Sequence, residues 1–129
     1  MMLDWNDYQK QVLATIAQIG RSSRGTVRGY RELSDAGDVK DLLGAKTREL
    51  IALAVAVTRQ CDGCITIHTD AALKHGATRD EITEALGVAI AVNAGATLVY
   101  SARVMDAYAA KAPADQASPA DRAEPAQPG

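Results

Sequence analysis

The sequence predicts an all-α fold, a bundle of about six helices, and three observations predict it. Apolar residues recur at three- and four-residue steps along most of the chain, the spacing of one helix face. No stretch alternates apolar and polar residues as a half-buried strand does, and no strand–helix–strand rhythm appears. Aromatic residues are only 4% of the chain and Phe is absent, so the core must be built from Ala, Leu, Val and Ile, which suits close helix packing better than a broad sheet. At 129 residues the chain fits one domain with a single modest core.

Taken in order, Tyr8, Val12, Ile16 and Ile19 recur at four, four and three residues and mark a first helix. Gly20 and the run from Arg21 to Gly25 then break the pattern. Val27, Tyr30 and Leu33 mark a second helix over about Thr26 to Ala36, which Gly37 is placed to end. The segment from Glu49 to Val57 is the most apolar. It is too long and alanine-rich for a strand and hydrophobic on nearly all sides, so a buried central helix is expected. After Thr58-Arg59-Gln60, a fourth helix runs from Cys61 to about His75, with Gly76 in the usual glycine position just past a helix end. Thr78 and Glu81 have the spacing of a capping box, opening a helix through Ile82, Leu86 and Ile90 to about Val92. Asn93-Ala94-Gly95 reads as punctuation before a last helix from about Ala96 to Ala110. From Pro113 the composition turns to Pro, Ala, Asp, Gln and Gly with almost no large apolar side chain. The expected organisation is therefore a helical domain over residues 1–111 and a disordered Pro/Ala-rich tail over 112–129.

A formal charge of −2 leaves no basic footprint for nucleic acid. The N-terminus lacks the basic start and apolar stretch of a secretory signal. The longest apolar run, Leu50 to Val57, falls short of the roughly 20 residues that cross a bilayer, so no membrane association is expected. A cytoplasmic location follows as the expectation. In that reducing compartment a close cysteine pair is more often catalytic or metal-binding than a structural staple. No dinucleotide fingerprint or phosphate loop is present, and no cofactor is expected.

The chemistry is expected at Cys61-Asp62-Gly63-Cys64. On a helix, Cys61, Cys64 and His68 fall at offsets of zero, three and seven, on one side. The two thiols can meet as a disulfide, and the His68 imidazole can reach Cys64 from the next turn. A thiolate is the nucleophile, and a helix N-terminus favours the anion. An imidazole exchanges protons near neutral pH. A sulfenic acid formed on one sulfur can condense with the other to a disulfide. A thioredoxin fold, the usual carrier of such a pair, is excluded by the missing strands. A zinc site of Cys61, Cys64 and His68 lacks a fourth ligand, so no metal is expected. Inert packing of two small thiols is the plainer alternative. His75 lies at a helix end, where capping accounts for it. Glu49 opens the apolar segment and reads, from periodicity alone, as a first-turn acid facing the helix dipole. Lys46 and Arg48 look like solvated or oligomer-facing charges.

Lys46-Thr-Arg-Glu49-Leu-Ile-Ala-Leu-Ala-Val, then Cys61-x-x-Cys64-x-x-x-His68, then His75-Gly76-Ala77-Thr78 before a Glu-containing helix start, together resemble the AhpD-like alkylhydroperoxidases of the carboxymuconolactone decarboxylase superfamily. The resemblance covers roughly Leu42 to Tyr108. It implies an all-helical fold assembled into homo-oligomers, commonly trimers or hexamers. It also implies reduction of hydrogen peroxide or organic hydroperoxides through the cysteine pair, in antioxidant defence, with electrons returned by a protein or lipoyl-type dithiol. By position, Cys64 resembles the peroxidatic cysteine and Cys61 the more exposed resolving one, while His68 and Glu49 resemble members of a proton relay. One departure stands out. The best-known peroxidases carry a histidine just before the second cysteine, and here that position is Gly63. A redox sensor or disulfide-exchange protein with little peroxide turnover is the resulting alternative. The superfamily's decarboxylase branch typically does not depend on a cysteine pair.

Overall fold

The computed structural model describes residues 1–116 and 119. Most of the tail expected over 112–129 lies outside the described residues. Those described hold five α-helices and no strand: α1 (Trp5–Ser22), α2 (Arg24–Asp35), α3 (Ala45–Thr58), α4 (Asp62–Lys74) and α5 (Arg79–Lys111), with one 3-10 turn at Ala36–Asp38. The chain divides into two units, residues 1–90 and 91–129.

In the first unit α3 packs against α4, and α1 packs against both α2 and α4. The core cluster is Leu53 of α3, Ala72 of α4 and Ala77, with Leu50 and Ile82 packed against it. Alanines at the centre let backbones approach, as the composition implies. Polar bonds fix the helices further. The buried Thr66 hydroxyl lies 3.2 Å from the Trp5 carbonyl and 3.3 Å from Gln9 Oε1, tying α4 to α1. Lys46 donates to Glu81 at 2.7 Å, tying the start of α3 to the start of α5.

The ends of α4 form as their residues dictate. Gly76 has φ +79°, where a Cβ is costly, and its N–H donates to the Leu73 carbonyl. The next N–H, of Ala77, donates to the Ala72 carbonyl, and these two alanines meet in the core cluster. This is a Schellman ending with its apolar contact. The capping box follows at once: Glu81 N–H donates to Thr78 Oγ1 at 3.1 Å, and Thr78 N–H donates to Glu81 Oε2 at 2.8 Å.

Three expectations are corrected. Asn93-Ala94-Gly95 does not divide two helices, because α5 is continuous for 33 residues. Asn and Gly cost a helix up to ~1 kcal/mol each, but neither clashes with the preceding turn as Pro does. The Thr97 hydroxyl bonds back to the Asn93 carbonyl at 3.1 Å, satisfying itself within the helix. The expected break at 20–25 shrinks to Ser23, whose N–H donates to the Ile19 carbonyl and whose hydroxyl pairs with that of Thr26 at 2.8 Å. Finally, α3 is not buried on all sides. Leu53 and Ala56 are buried, whereas Ile51, Val55 and Val57 are 49%, 55% and 40% exposed.

The described part of the second unit is the remainder of α5 and a following turn closed by Gln116 N–H on the Pro113 carbonyl. A lone helix has nothing within the unit to pack on, and Leu98, Val99, Tyr100, Val104 and Met105 are all exposed. By length and composition α5 could cross a membrane. Interspersed Asn, Gly, Thr and Ser hide that property from a search for continuous apolar runs.

Candidate active site

The site begins with the joint between α3 and α4. α3 ends in a second Schellman motif: Gln60 N–H donates to the Val57 carbonyl and Cys61 N–H to the Ala56 carbonyl, at 3.2 and 3.1 Å. Gln60, at φ +53°, occupies the left-handed position that glycine usually fills. Cys61 is thus the last residue held by α3. It is also the N-cap of α4, and its Sγ accepts the Cys64 N–H at 3.2 Å. α3 holds the backbone of Cys61 and α4 its sulfur.

Cys61 and Cys64 are joined as a disulfide, their Cα atoms 5.2 Å apart. Cys61 as the N-cap and Cys64 in the first turn both sit at the N-terminus of α4, where unpaired N–H groups and the helix dipole favour a thiolate once the bond is reduced. One turn on, His68 Nδ1 lies 2.7 Å from Glu49 Oε2, bringing α4 and α3 together across nineteen residues of sequence. Both side chains are mostly covered, 29% exposed for His68 and 21% for Glu49. With Nδ1 engaged by the carboxylate, Nε2 is the ring nitrogen left to exchange protons.

The disulfide and His68 line one cleft of about 410 Å³. Its other walls are mostly apolar: Val12, Ile16 and Ile19 of α1, Val27 and Tyr30 of α2, and Ile67. Over Gly63, a Cβ would meet Val12 Cγ1 at 3.5 Å, ordinary van der Waals contact. Where the resemblance expects an imidazole, this chain places the aliphatic side of α1.

The four residues singled out in the sequence are therefore adjacent through the disulfide, the helix turn and the Glu49–His68 bond. His75 is the C-cap of α4, its N–H donating to the Ala71 carbonyl. Arg48 bridges Asp38 and Asp41 at 2.6 and 2.5 Å, and the Asp41 carboxylate, followed by Asp38, raises its already high pKa. A Cβ on Gly37 would lie 3.0 Å from Arg48 Cδ, so Gly37 makes room for this guanidinium instead of only ending a helix. Sequence reasoning missed the cleft walls on α1 and α2. Their signal was present, since Val12, Ile16, Ile19, Val27 and Tyr30 are the helix-spaced apolar residues, but which helix they face is a tertiary fact.

The fold and site together define a class: an all-helical protein with a Cys-x-x-Cys at a helix N-terminus, backed by a glutamate–histidine pair. The chain belongs to the carboxymuconolactone decarboxylase family, whose sequence profile matches residues 26–107. It is similar to an uncharacterized protein of Haemophilus influenzae, 41% identical over 108 residues, covering 84% of this chain and 96% of that one. An uncharacterized protein of Cupriavidus necator is 31% identical, covering 67% of this chain and 77% of its own. The Paracoccus denitrificans protein described as "Uncharacterized protein 4 in cox locus" is 32% identical, covering 71% and 83%.

Proposed function

We propose that the chain is a thiol peroxidase that reduces organic hydroperoxides, and hydrogen peroxide less readily, using Cys61 and Cys64 as its redox pair. The observation that carries this reading is the pair's position in an apolar cleft shared with His68, which Glu49 holds at 2.7 Å. Starting from the dithiol, the Cys64 thiolate attacks the distal peroxide oxygen. The O–O bond breaks, Cys64 becomes a sulfenic acid, and the leaving alkoxide takes a proton from His68. Cys61 then displaces hydroxide from that sulfenic acid, releasing water and forming the disulfide. A dithiol donor returns two electrons and two protons. An apolar cleft of about 410 Å³ is far larger than hydrogen peroxide requires and suits an alkyl or aryl substituent. The chain acts as a homo-oligomer in the cytoplasm, with no part for nucleic acid or membrane.

A second reading has its own observation. Gly63 brings no imidazole and is covered by Val12, which favours a disulfide-exchange or sensing role in which the bond forms without rapid turnover. Steady-state consumption of an aryl hydroperoxide and of hydrogen peroxide, with a panel of dithiol donors, separates the two. Sustained turnover in wild type and none in Cys64→Ser supports the peroxidase. One oxidation per chain with every donor supports the exchange protein. Undiminished turnover in Cys64→Ser sinks both.

A further inference from the structure

We infer that the face formed by Arg21, Arg24, Arg28 and Arg31 docks an acidic protein dithiol, the electron donor for the Cys61–Cys64 disulfide. The inference rests on the redox reading above. Four of the chain's nine arginines fall within these eleven residues, and no Asp or Glu occurs from residue 8 to residue 31, in a chain whose net charge is −2. The four side chains line one groove of about 350 Å³ together with Gly20 and Val27. Among the described residues only Arg28 has an ion-pair partner, Glu32 at 3.9 Å, and both of those side chains are more than 70% exposed. Positive charges three and four residues apart on a helix repel one another. A solvated face would intersperse acids, as the Lys74–Asp70 pair does on α4.

Position gives this charge a use. Val27 lines the arginine groove and also the cleft that holds the disulfide, so the two depressions share a wall. A partner held by the arginines is held beside the bond it must open. The charges span parts of α1 and α2 and are exposed, which fits a protein face better than a single small anion. In the transfer, a partner thiolate attacks one sulfur to give a mixed disulfide. The partner's second thiol then displaces this chain, leaving the partner oxidised and Cys61 and Cys64 as thiols. Clefts of one sign raise association rates about 10–10³-fold, an effect that salt removes.

The test uses two synthetic peptides with the same Cys-Gly-Pro-Cys dithiol, one flanked by glutamates and one by lysines. Each reduces the disulfide of full-length wild type and of a variant carrying Arg21→Gln, Arg24→Gln, Arg28→Gln and Arg31→Gln. Expected at about 10 mM salt is an acidic-peptide rate about ten-fold higher on wild type than on the variant, collapsing at about 0.5 M salt. The basic peptide should show the opposite preference, and dithiothreitol should reduce both proteins equally. Equal acidic-peptide rates on the two proteins, with dithiothreitol active, overturn the docking face alone. Tripolyphosphate binding that the variant loses, alongside equal peptide rates, reassigns the face to a small anion. If dithiothreitol cannot open the bond, the redox reading fails and the docking proposal with it.

Discussion

Glu49 shows how far a single residue can be read. Periodicity alone places Glu49 in a first turn facing the helix dipole, but α3 begins at Ala45 and its first turn holds no acid; Glu49 instead bonds His68 Nδ1 at 2.7 Å. In the proposed peroxidase it is a positioning residue, acting through the imidazole and not on the peroxide. Glu49→Gln keeps a hydrogen-bonding oxygen but removes the charge that stabilises an imidazolium. The expected result is a fall in kcat of about 10²-fold, the lower end of what a placed acid–base group contributes, with KM little changed. Glu49→Asp should recover part of the rate. A merely structural role for Glu49 would instead lower thermal stability and leave kcat intact in the folded fraction. The cysteines were legible for a different reason. Their three-residue spacing is local, and a helix converts local spacing directly into adjacency, whereas periodicity says nothing of Glu49 facing His68 and only the family resemblance put the two in one relay.

Helix ends carried the most readable signals at the scale of the element, and helix interiors the least. The box at Thr78 and Glu81 and the glycine at Gly76 form as their residue types demand. The continuity of α5 through Asn93-Ala94-Gly95 was not readable, because its residue types permit a helix without requiring one. The ending at Gln60 was also hidden, since the left-handed position is held by a residue that does not advertise it. Gln60→Gly should therefore stabilise the chain by up to about 1 kcal/mol, by removing the Cβ strain of that conformation, as measured by denaturant unfolding. A loss of stability would show that the Gln side chain itself holds the joint. The same reasoning gives a pH dependence. Hydrogen bonds from Lys46, then from the Thr78 backbone, lower the Glu81 pKa below its ordinary value of 4.5. A carboxylate with a depressed folded pKa contributes stability that is full above the unfolded value and lost as pH falls through the folded one. The melting temperature should drop on acidification below about pH 4.5, and Glu81→Gln should make that drop shallower.

For the whole molecule, the decisive fact is how little is buried. Among the described residues the buried apolar side chains are Leu53 and four alanines, all in the first unit. Small domains are marginal even when they bury about 60% of the surface their unfolded chains expose, so a core with one large buried side chain needs more cover. The uncovered apolar residues also lie in order. Leu98 and Met105 are seven apart on α5, and Tyr108 follows on the same side. Further copies of the chain would supply the missing cover most directly, as in the trimer or hexamer that the family resemblance implies. Lipid is the rival, because α5 is long and apolar enough to cross a membrane. Sedimentation of detergent-free protein distinguishes them. The expectation is one soluble species at a small multiple of 13.6 kDa, with Leu98→Asp and Met105→Asp together shifting it toward monomer and lowering its melting temperature. A stable wild-type monomer would show that the first unit's core suffices, and recovery only in detergent would assign α5 to lipid. Because the cysteine cleft is walled by α1 and α2 of the first unit, the doubly substituted protein, where it stays folded, should still form the Cys61–Cys64 disulfide on exposure to peroxide.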